Sequence, residues 1–301
     1  MTIDKISDIR LFVTVVEAGN FSTAARQQQI SPSTASKTIE RLERRLNARL
    51  FQRTTRSLGL TPEGRIFYAK CLSLLDAVED AENATRPDVD ITGRLRVQCA
   101  PAFGRYLLTP LIPEFLQRQP ALHLELLLGL NPISPTEPNF DLMIQAGELS
   151  DSSLVAHRIV TVEWVICAAP SYLERHGTPR EPHDLANHVC LTFSARHEWN
   201  VWQFMIEGKP AEQQVRGNLS SNDGGTLLDA ARAGVGIARL GSHHVAADLH
   251  EHRLVPLLMR YQAPAQPIFA AHHNRRQLSP RIRVFIEFLL ERFDQEARMP
   301  S

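Results

Sequence analysis

Ser31 and Pro32, at the head of "ISPSTASKTIERLERRL", mark a helix start more firmly than any other feature of the chain. The serine hydroxyl can accept from an exposed backbone N–H, and proline suits the first helical position, where no N–H is needed and φ is already near helical values. Ala35, Ile39, Leu42 and Leu46 follow at steps of four, three and four residues, which lays one apolar stripe along the helix. Ser33, Ser36, Lys37, Glu40, Arg41 and Arg44 point elsewhere. Such a helix must rest its apolar side on a core and offer hydroxyl, amine and guanidinium groups to something outside.

Two helices are expected before it. Ile6, Ile9, Val13 and Val16, with Phe12 beside them, predict a first amphipathic helix stopped at Gly19. Asn20 or Ser22 can cap a second, short one carrying Ala24, Ala25 and Gln28. Two short helices joined by a tight turn fit the helix-turn-helix, whose second helix enters the major groove. Small polar residues at its start let side chains approach base edges, and Lys37 can donate to guanine acceptors or to phosphate. The same helix taken alone also fits the surface of any small bundle.

The next segment, "ARLFQRTTRSLGLTPEG", alternates and contains Gly59, as a two-stranded wing would, with Arg53, Thr54, Thr55 and Arg56 at its tip. Those groups suit backbone phosphates or a neighbouring minor groove. Charge agrees: residues 20–70 hold ten basic and three acidic side chains, 10 − 3 = +7, although the whole chain balances 33 Lys+Arg against 33 Asp+Glu. Thr61 and Pro62 then start a long helix to about Arg86. Along it Phe67, Cys71, Leu74, Val78 and Ala81 form a heptad seam, which must pack on its own domain or on a second copy of the chain; the charged opposite face, with Asp76, Glu79, Asp80 and Glu82, favours the second copy. Two copies would address two half-sites of double-stranded DNA.

The order "FVTVVEAGNFSTAARQQQISPSTASKTIERLERRLNARLFQRTTRSLGLTPEGRIFY" resembles the N-terminal domain of LysR-type transcriptional regulators, and the likeness runs over about residues 3–90 without a gap. The motifs are Phe-x-x-Val-x-Glu-x-Gly-x-Phe, Ala-Ala, Ser-x-Ser-x-x-Ser-x-x-Ile-x-x-Leu-Glu, Leu-Phe-x-Arg and Thr-x-x-Gly. The resemblance implies base reading by Pro32, Ser33, Ser36 and Lys37, next to Ser31 and Arg41, and wing or phosphate contact by Arg53, Thr54 and Arg56.

"RPDVDITG" breaks the long helix and reads as a hinge. Beyond it, "LRVQC", "LHLELLL", "FDLMI", "TVEWVICAA", "VCLTF", "VGIARL" and "PIFAA" read as strands between helical stretches, an α/β rhythm with mainly parallel sheets. Catalytic signatures are missing: Gly234-x-Gly236 ends on Arg239 where a dinucleotide fingerprint needs glycine, and there is no G-x-S-x-G, Walker A loop or H-E-x-x-H. The adjacent pairs His243/His244 and His272/His273 have no cysteine at zinc-like spacing and read as solvated; no metal is expected. Cys71, Cys99, Cys167 and Cys190 are scattered and the N-terminus lacks a signal-peptide layout, so a reduced, cytoplasmic protein is expected. No apolar run reaches the ~18 residues needed to cross a bilayer, so no membrane role is expected.

"TGRLRVQCAPAFGRYLLTPLIPEFLQRQPALHLEL", "FDLMIQAGELSDSSLVAHRI", "CAAPSYLERHG", "LLDAARAGVGIARL" and "LSPRIRVFIEFLL" are similar to the effector-binding domain of the same family. The implied fold class is α/β with an N-terminal all-α winged helix-turn-helix domain and a C-terminal two-lobe periplasmic-binding-protein-like α/β domain. The expected division is 1–61 for DNA binding, 62–90 for the dimerisation helix and hinge, and 91–301 for the effector domain. Within the last, lobe one takes 91–162 and 267–301, and lobe two 163–266.

Cleft residues are expected at strand ends and helix starts, where free N–H groups attract an anion. These are Pro101, Ala102, Phe103, Leu130, Gln145, Phe193 and Asn222, with Asp223 beside the last. Two departures from the family stand out. "LNPISPTEPN" brings prolines where relatives carry a short helix, and Gln145 stands where an arginine is usual. The expectation is a non-enzymatic regulator without cofactor that binds DNA, a small organic effector and itself, as dimer and by resemblance tetramer, with RNA polymerase a candidate further partner. The rivals are an enzyme on the two-lobe fold and an architectural protein that coats DNA without regard to sequence.

Overall fold

The computed structural model describes residues 5–53, 58–84, 91–129, 140–147, 154–194, 197–273 and 278–298. Residues 1–93 with 133–139, and 94–132 with 140–301, form two compact units.

In the first unit, α1 (Lys5–Ala18), α2 (Phe21–Gln27) and α3 (Pro32–Leu46) precede the two-stranded β1 (Phe51–Arg53) and β2 (Leu58–Leu60), and α4 (Pro62–Ala84) follows. The start signals act as expected. Asn20 Oδ1 accepts from Thr23 N at 2.7 Å, Ser31 Oγ from Thr34 N at 3.1 Å, and Thr61 Oγ1 from Gly64 N at 2.9 Å. Gly19, at φ 67°, ends α1 in the left-handed region that glycine adopts without strain.

The core surrounds Phe12, which is fully buried with Phe51 and Phe67 rings 5.4 and 5.2 Å away. α1 is buried on more than the single face expected: Ile9, Leu11, Phe12, Val13 and Val15 are buried, while Ile6 is exposed. It packs against α2, α3 and α4 at once. Ala35, Ile39 and Leu42 of α3 are buried as the stripe predicts, but Leu46 is exposed, because α3 ends there in the left-handed Asn47. Glu43 takes the buried position instead.

The second unit begins with β3 (Gly93–Cys99) and a continuous helical run: α5 (Pro101–Phe103), a π turn, a 3-10 turn and α6 (Ile112–Arg118). β4 (Leu122–Leu128), β5 (Leu142–Ala146) and β6 (Leu154–Val162) follow. Next come β7 (Trp164–Ala168), α7 (Pro170–His176), β8 (Thr192–Phe193), the hairpin β9 (Val201–Ile206) and β10 (Lys209–Gln214), and β11 (Ser220–Ser221). α8 (Gly224–Arg232), β12 (Ala238–Gly241), α9 (Ser242–His250), β13 (Val255–Leu257), β14 (Gln266–His273) and α10 (Pro280–Arg298) complete it.

Among the described residues one sheet has the order β4-β3-β5-β14-β6 and another β12-β7-β13. The expectation of mainly parallel sheets is corrected. β3–β5 and β8–β11 are parallel, but β14 runs antiparallel to both β5 and β6, and β7 antiparallel to both β12 and β13. Alternating helices and strands give parallel pairs only where each helix returns the chain to the same sheet edge. β14 instead re-enters the first sheet late in the chain, between β5 and β6 and antiparallel to both. "VCLTF" is also shorter as a strand than expected, and only Thr192–Phe193 lies in β8.

β7 explains its own unbroken apolar run. Val165 and Cys167 face α8 and α9, while Ile166 and Ala168 face Tyr172, Trp202 and Phe204, so both sides of this sheet are covered.

Candidate functional site

The hydroxyl-rich start of α3 is open to solvent. Ser31, Pro32, Ser33 and Lys37 are exposed and Ser36 half-buried. Ser31 Oγ also lies 2.8 Å from both Ser33 Oγ and Thr34 Oγ1, so the first turn presents a linked set of hydroxyls. Ser36 Oγ donates to Glu40 Oε1 at 3.3 Å. Lys37 makes no ion pair among the described residues, which leaves its amine available. Arg41, expected on the same outer face, is held elsewhere: its Nη2 donates to Asp8 Oδ1 of α1 at 2.7 Å. Because Asp8 is only 3% exposed, this cation neutralises a buried carboxylate as well as facing water.

Glu43 was not singled out as a site residue, yet it sets the geometry between α3 and the wing. Its buried Oε1 accepts from Leu50 N at 2.7 Å and Phe51 N at 3.1 Å, fixing the entry of β1 against α3. The sequence signal was a charge on the apolar side of an amphipathic helix, one position past Leu42. β1 and β2 pair antiparallel, as a wing requires, with Arg53 opposite Leu58. The side chain of Arg53, and Thr54 and Arg56 entirely, lie outside the described residues.

α4 corrects the proposed seam. Cys71 is 2% exposed and packs with half-buried Phe67 in the core of its own unit. Of the two partners open to the seam, its own domain takes Phe67 and Cys71, because on a helix leaning on that domain the same spacing serves its core. The open apolar groups are Ile66, 56% exposed, and Leu74, 44% exposed, continued by exposed Ala77 and Ala81 with Val78 half-buried.

In the second unit, a polar and aromatic group gathers where α5 meets α8 and α9. Asp223 caps α8, its Oδ2 accepting from Thr226 N at 2.8 Å. A Cβ on Gly224 would lie 3.1 Å from His244 Cε1 and 3.7 Å from Phe193 Cζ, so both rings stand over the start of α8. The Tyr106 ring, from the run after α5, is 5.1 Å from that of His244. Phe193 is fixed by buried Asn200, which accepts from Phe193 N at 2.8 Å and donates to its carbonyl at 2.9 Å. Tyr106, Asn200 and His244 were not anticipated. No motif announces them, because the fold brings them together from distant segments.

The histidine expectation is corrected. His244 is 4% and His272 5% exposed, not solvated. His244 Nε2 is buried without a hydrogen-bond partner among the described residues, and burial holds its pKa below the ordinary value. His243 is pushed down to about 4 by burial and by its neighbour His244. His272 Nε2 lies 3.3 Å from His157 Nε2 across β14 and β6. Among the described residues no group of three or more metal-ligating side chains converges.

Of the other expected cleft residues, Pro101 and Ala102 are half-buried at the end of β3, and Asn222 is exposed just before the α8 cap. Phe103 is corrected: it is 3% exposed, with its ring 6.1 Å from Phe293 of α10, and so belongs to the core. Gln145 lies half-buried in β5 opposite Phe269 of β14. Leu130 and the proline-rich 130–139 lie outside the described residues, as does most of the expected hinge. All four cysteines are buried and each thiol is pushed up to about 12 by burial, which suits inert core groups rather than reactive thiolates.

Comparison with known proteins adds an independent line. Residues 6–65 match the family model described as bacterial regulatory helix-turn-helix protein, lysR family, and residues 90–294 match the LysR substrate binding domain. The chain is 33% identical over 297 residues to the HTH-type transcriptional activator AaeR of Escherichia coli, covering 98% of this chain and 96% of that protein. It is 34% identical over 287 residues to the HTH-type transcriptional regulator CrgA of Neisseria meningitidis, covering 94% of this chain and 95% of that one. The solved structure of a Neisseria meningitidis CrgA superposes with a TM-score of 0.63 at 31% identity, over 97% of this chain and 99% of that chain. The full-length Vibrio cholerae virulence activator AphB superposes at 0.60 with 26% identity, over 95% of this chain and 98% of that one.

Proposed function

The chain belongs to the LysR family of bacterial transcriptional regulators, and from that premise we propose how its residues divide the work. It is a DNA-binding regulator with a helix-turn-helix and a substrate-binding domain. In our reading Ser33, Ser36 and Lys37 read base edges in the major groove, Ser31 and Pro32 set the start of the helix that carries them, and the wing with Arg53, Thr54 and Arg56 meets phosphates. The observation that carries this is the exposed hydroxyl-and-amine start of α3 on a helix whose other side is locked in the core.

Lys37→Ala and Ser33→Ala should each cost about 1–3 kcal/mol of affinity for the preferred site and relax base preference there. Selecting bound genomic fragments with the purified protein, then measuring each variant on the selected and on scrambled duplexes, tests this. An equal loss on both duplexes would reduce α3 to a phosphate contact, and diffuse protection with no preferred site would favour the architectural rival.

The dimer is assigned to the open stripe of α4 rather than to the full seam. Replacing Ile66 and Leu74 together by aspartate should yield monomers in sedimentation, since two charges would then sit on the apolar face to be buried. A dimer that survives the double change would move the interface elsewhere.

The effector cleft lies, in this proposal, between a lobe of 91–162 with 267–301 and a lobe of 163–266. Pro101 and Ala102 flank it from one side, and Phe193, Asn222 and His244 from the other. His244 Nε2, neutral and without a hydrogen-bond partner among the described residues, is the group a ligand would satisfy. A ligand preferring one lobe arrangement would shift the DNA-binding units accordingly. The protein works in the cytoplasm without a catalytic step or cofactor, forms dimers and tetramers, and RNA polymerase is a further partner.

A further inference from the structure

Adjacency in the chain pairs His272 with His273, but the sheet pairs it with His157, 115 residues away. His157 of β6 stands opposite Ala270 of β14, and His272 stands opposite Val155. In a ladder, residues opposite each other and residues two apart on one strand point to the same side. Both imidazoles therefore rise from one face as diagonal neighbours, whose Cβ atoms sit about 7–8 Å apart, a gap that two rings can close. Ala270, with nothing beyond its Cβ, adds no bulk beside His157.

The two rings meet nitrogen to nitrogen. Their Nε2 atoms are 3.3 Å apart, the ring centres 5.4 Å apart and the planes inclined by 22°. As a hydrogen bond this is long, since nitrogen donors usually sit about 2.9–3.0 Å from an acceptor. As a bite for a metal ion it fits: two imidazole nitrogens bound tetrahedrally to one zinc at about 2.0–2.1 Å stand about 3.3–3.4 Å apart.

The surroundings suit such an ion. His272 is 5% exposed and His157 half-buried, so packing restrains the pair. Burial first, and the neighbouring His272 second, hold the His157 pKa below the ordinary histidine value, so at neutral pH its ring is uncharged and able to ligate. β6 is the edge of its sheet among the described residues, which gives an ion a way in from solvent. The pair also stands apart from the proposed cleft. Pro101 and Ala102 follow the end of β3, which runs parallel to β5, whereas His272 lies toward the start of β5.

We propose that His157 and His272 form a binding site for a divalent transition-metal ion of the zinc class, with the remaining coordination positions on water or a small exogenous ligand. Imidazole donors select zinc, nickel or copper over magnesium and calcium, which demand oxygen. No third protein ligand joins the pair among the described residues, so the ion is a reversible ligand rather than a closed structural centre. When bound it ties β6 to β14, the strands that lead into β7 and return from β13. The ion thereby acts on both connections as a regulatory ligand, not as a catalytic group.

The test uses the full-length protein and zinc chloride in titration calorimetry near neutral pH, with magnesium chloride as control. Zinc should fill a site of one ion per chain and magnesium should not bind. His157→Gln, at a half-buried edge position, should weaken zinc roughly tenfold or more, because a two-point chelate becomes a single contact. Val155→His places a third imidazole on the same face, opposite His272 and two residues from His157, and should tighten zinc by a similar factor. His183→Gln addresses a rival site: that ring is 73% exposed, 3.3 Å from both Glu181 and Asp184, and its loss should leave zinc affinity unchanged. The proposal is overturned if the parent binds no zinc, if magnesium binds as tightly, if His157→Gln or Val155→His binds as the parent does, or if His183→Gln is the variant that loses binding.

Discussion

Glu43→Ala is expected to destabilise the DNA-binding unit by about 2–4 kcal/mol and to weaken binding to every duplex, specific or not. The carboxylate is 8% exposed, and its Oε1 accepts from the backbone N–H groups of Leu50 and Phe51. Alanine leaves both donors buried without an acceptor, and each such orphan costs about 1–3 kcal/mol. The Arg49 contact at 3.3 Å adds little, because that guanidinium is 82% exposed. Glu43→Gln keeps one amide oxygen for the two donors and should recover about half of the loss. The effect on DNA follows from position. With β1 no longer tied to α3, the wing loses its register against the groove while Ser33 and Lys37 remain in place, so affinity falls without a change in base preference. Chemical unfolding of both variants, beside gel shifts on specific and random duplexes, measures each part. Unchanged stability in Glu43→Ala, or a loss confined to the preferred site, would refute the positioning role.

The contrast between Glu43 and Lys37 also shows which parts of the fold could be read from residues alone. Local chemistry is short-range, so Ser31, Asn20 and Thr61 act as caps where their spacing to the next N–H says they should. Periodicity places Ala35, Ile39 and Leu42 inside for the same reason. It cannot say which core a stripe will join. Phe67 and Cys71 satisfy a coiled-coil rule as well as an intradomain one, and the presence of Phe12 in the same unit decides the matter. Phe103 fails as a cleft residue by the same logic, since α10, far along the chain, reaches it first.

The proposed cleft is the least legible part because the residues assigned to it come from segments that meet only in three dimensions. Tyr106 and His244 are far apart in sequence and 5.1 Å apart between rings. Strand direction is likewise non-local. "PIFAA" is recognisable as a strand, yet its antiparallel place between β5 and β6 depends on a connection that leaves the first sheet and returns after the whole second lobe. Histidines read as solvated because the residue type is amphipathic. Burial of His244 and His272 depends on neighbours that the local sequence does not display.

Asp248→Asn should cost the second lobe about 2–4 kcal/mol, less than breaking a fully buried pair, because Arg232 and Arg253 remain 35% and 44% exposed and can regain water. The carboxylate itself is fully buried. Its Oδ1 accepts from Arg232 Nε and Arg253 Nε, and its Oδ2 from Arg232 Nη2, all at 2.7 Å. It thereby ties α8, α9 and the turn before β13 into one body, the body on which Phe193 and His244 stand. Arg232 first, and Arg253 after it, hold the Asp248 carboxyl below the usual carboxylate range. A depressed folded value means the proton is bound more weakly in the native state than in the unfolded chain. The stabilisation is therefore complete above the ordinary carboxylate pKa of about 4 and is lost as pH falls through the depressed native value. Asp248→Asn removes that titration. Its melting temperature should lie below the parent's at neutral pH and converge on it as the solution is acidified below about pH 4. Thermal unfolding of both proteins across that range reads the convergence directly, and a gap that stays constant with pH would mean the ion pairs contribute packing but not charge.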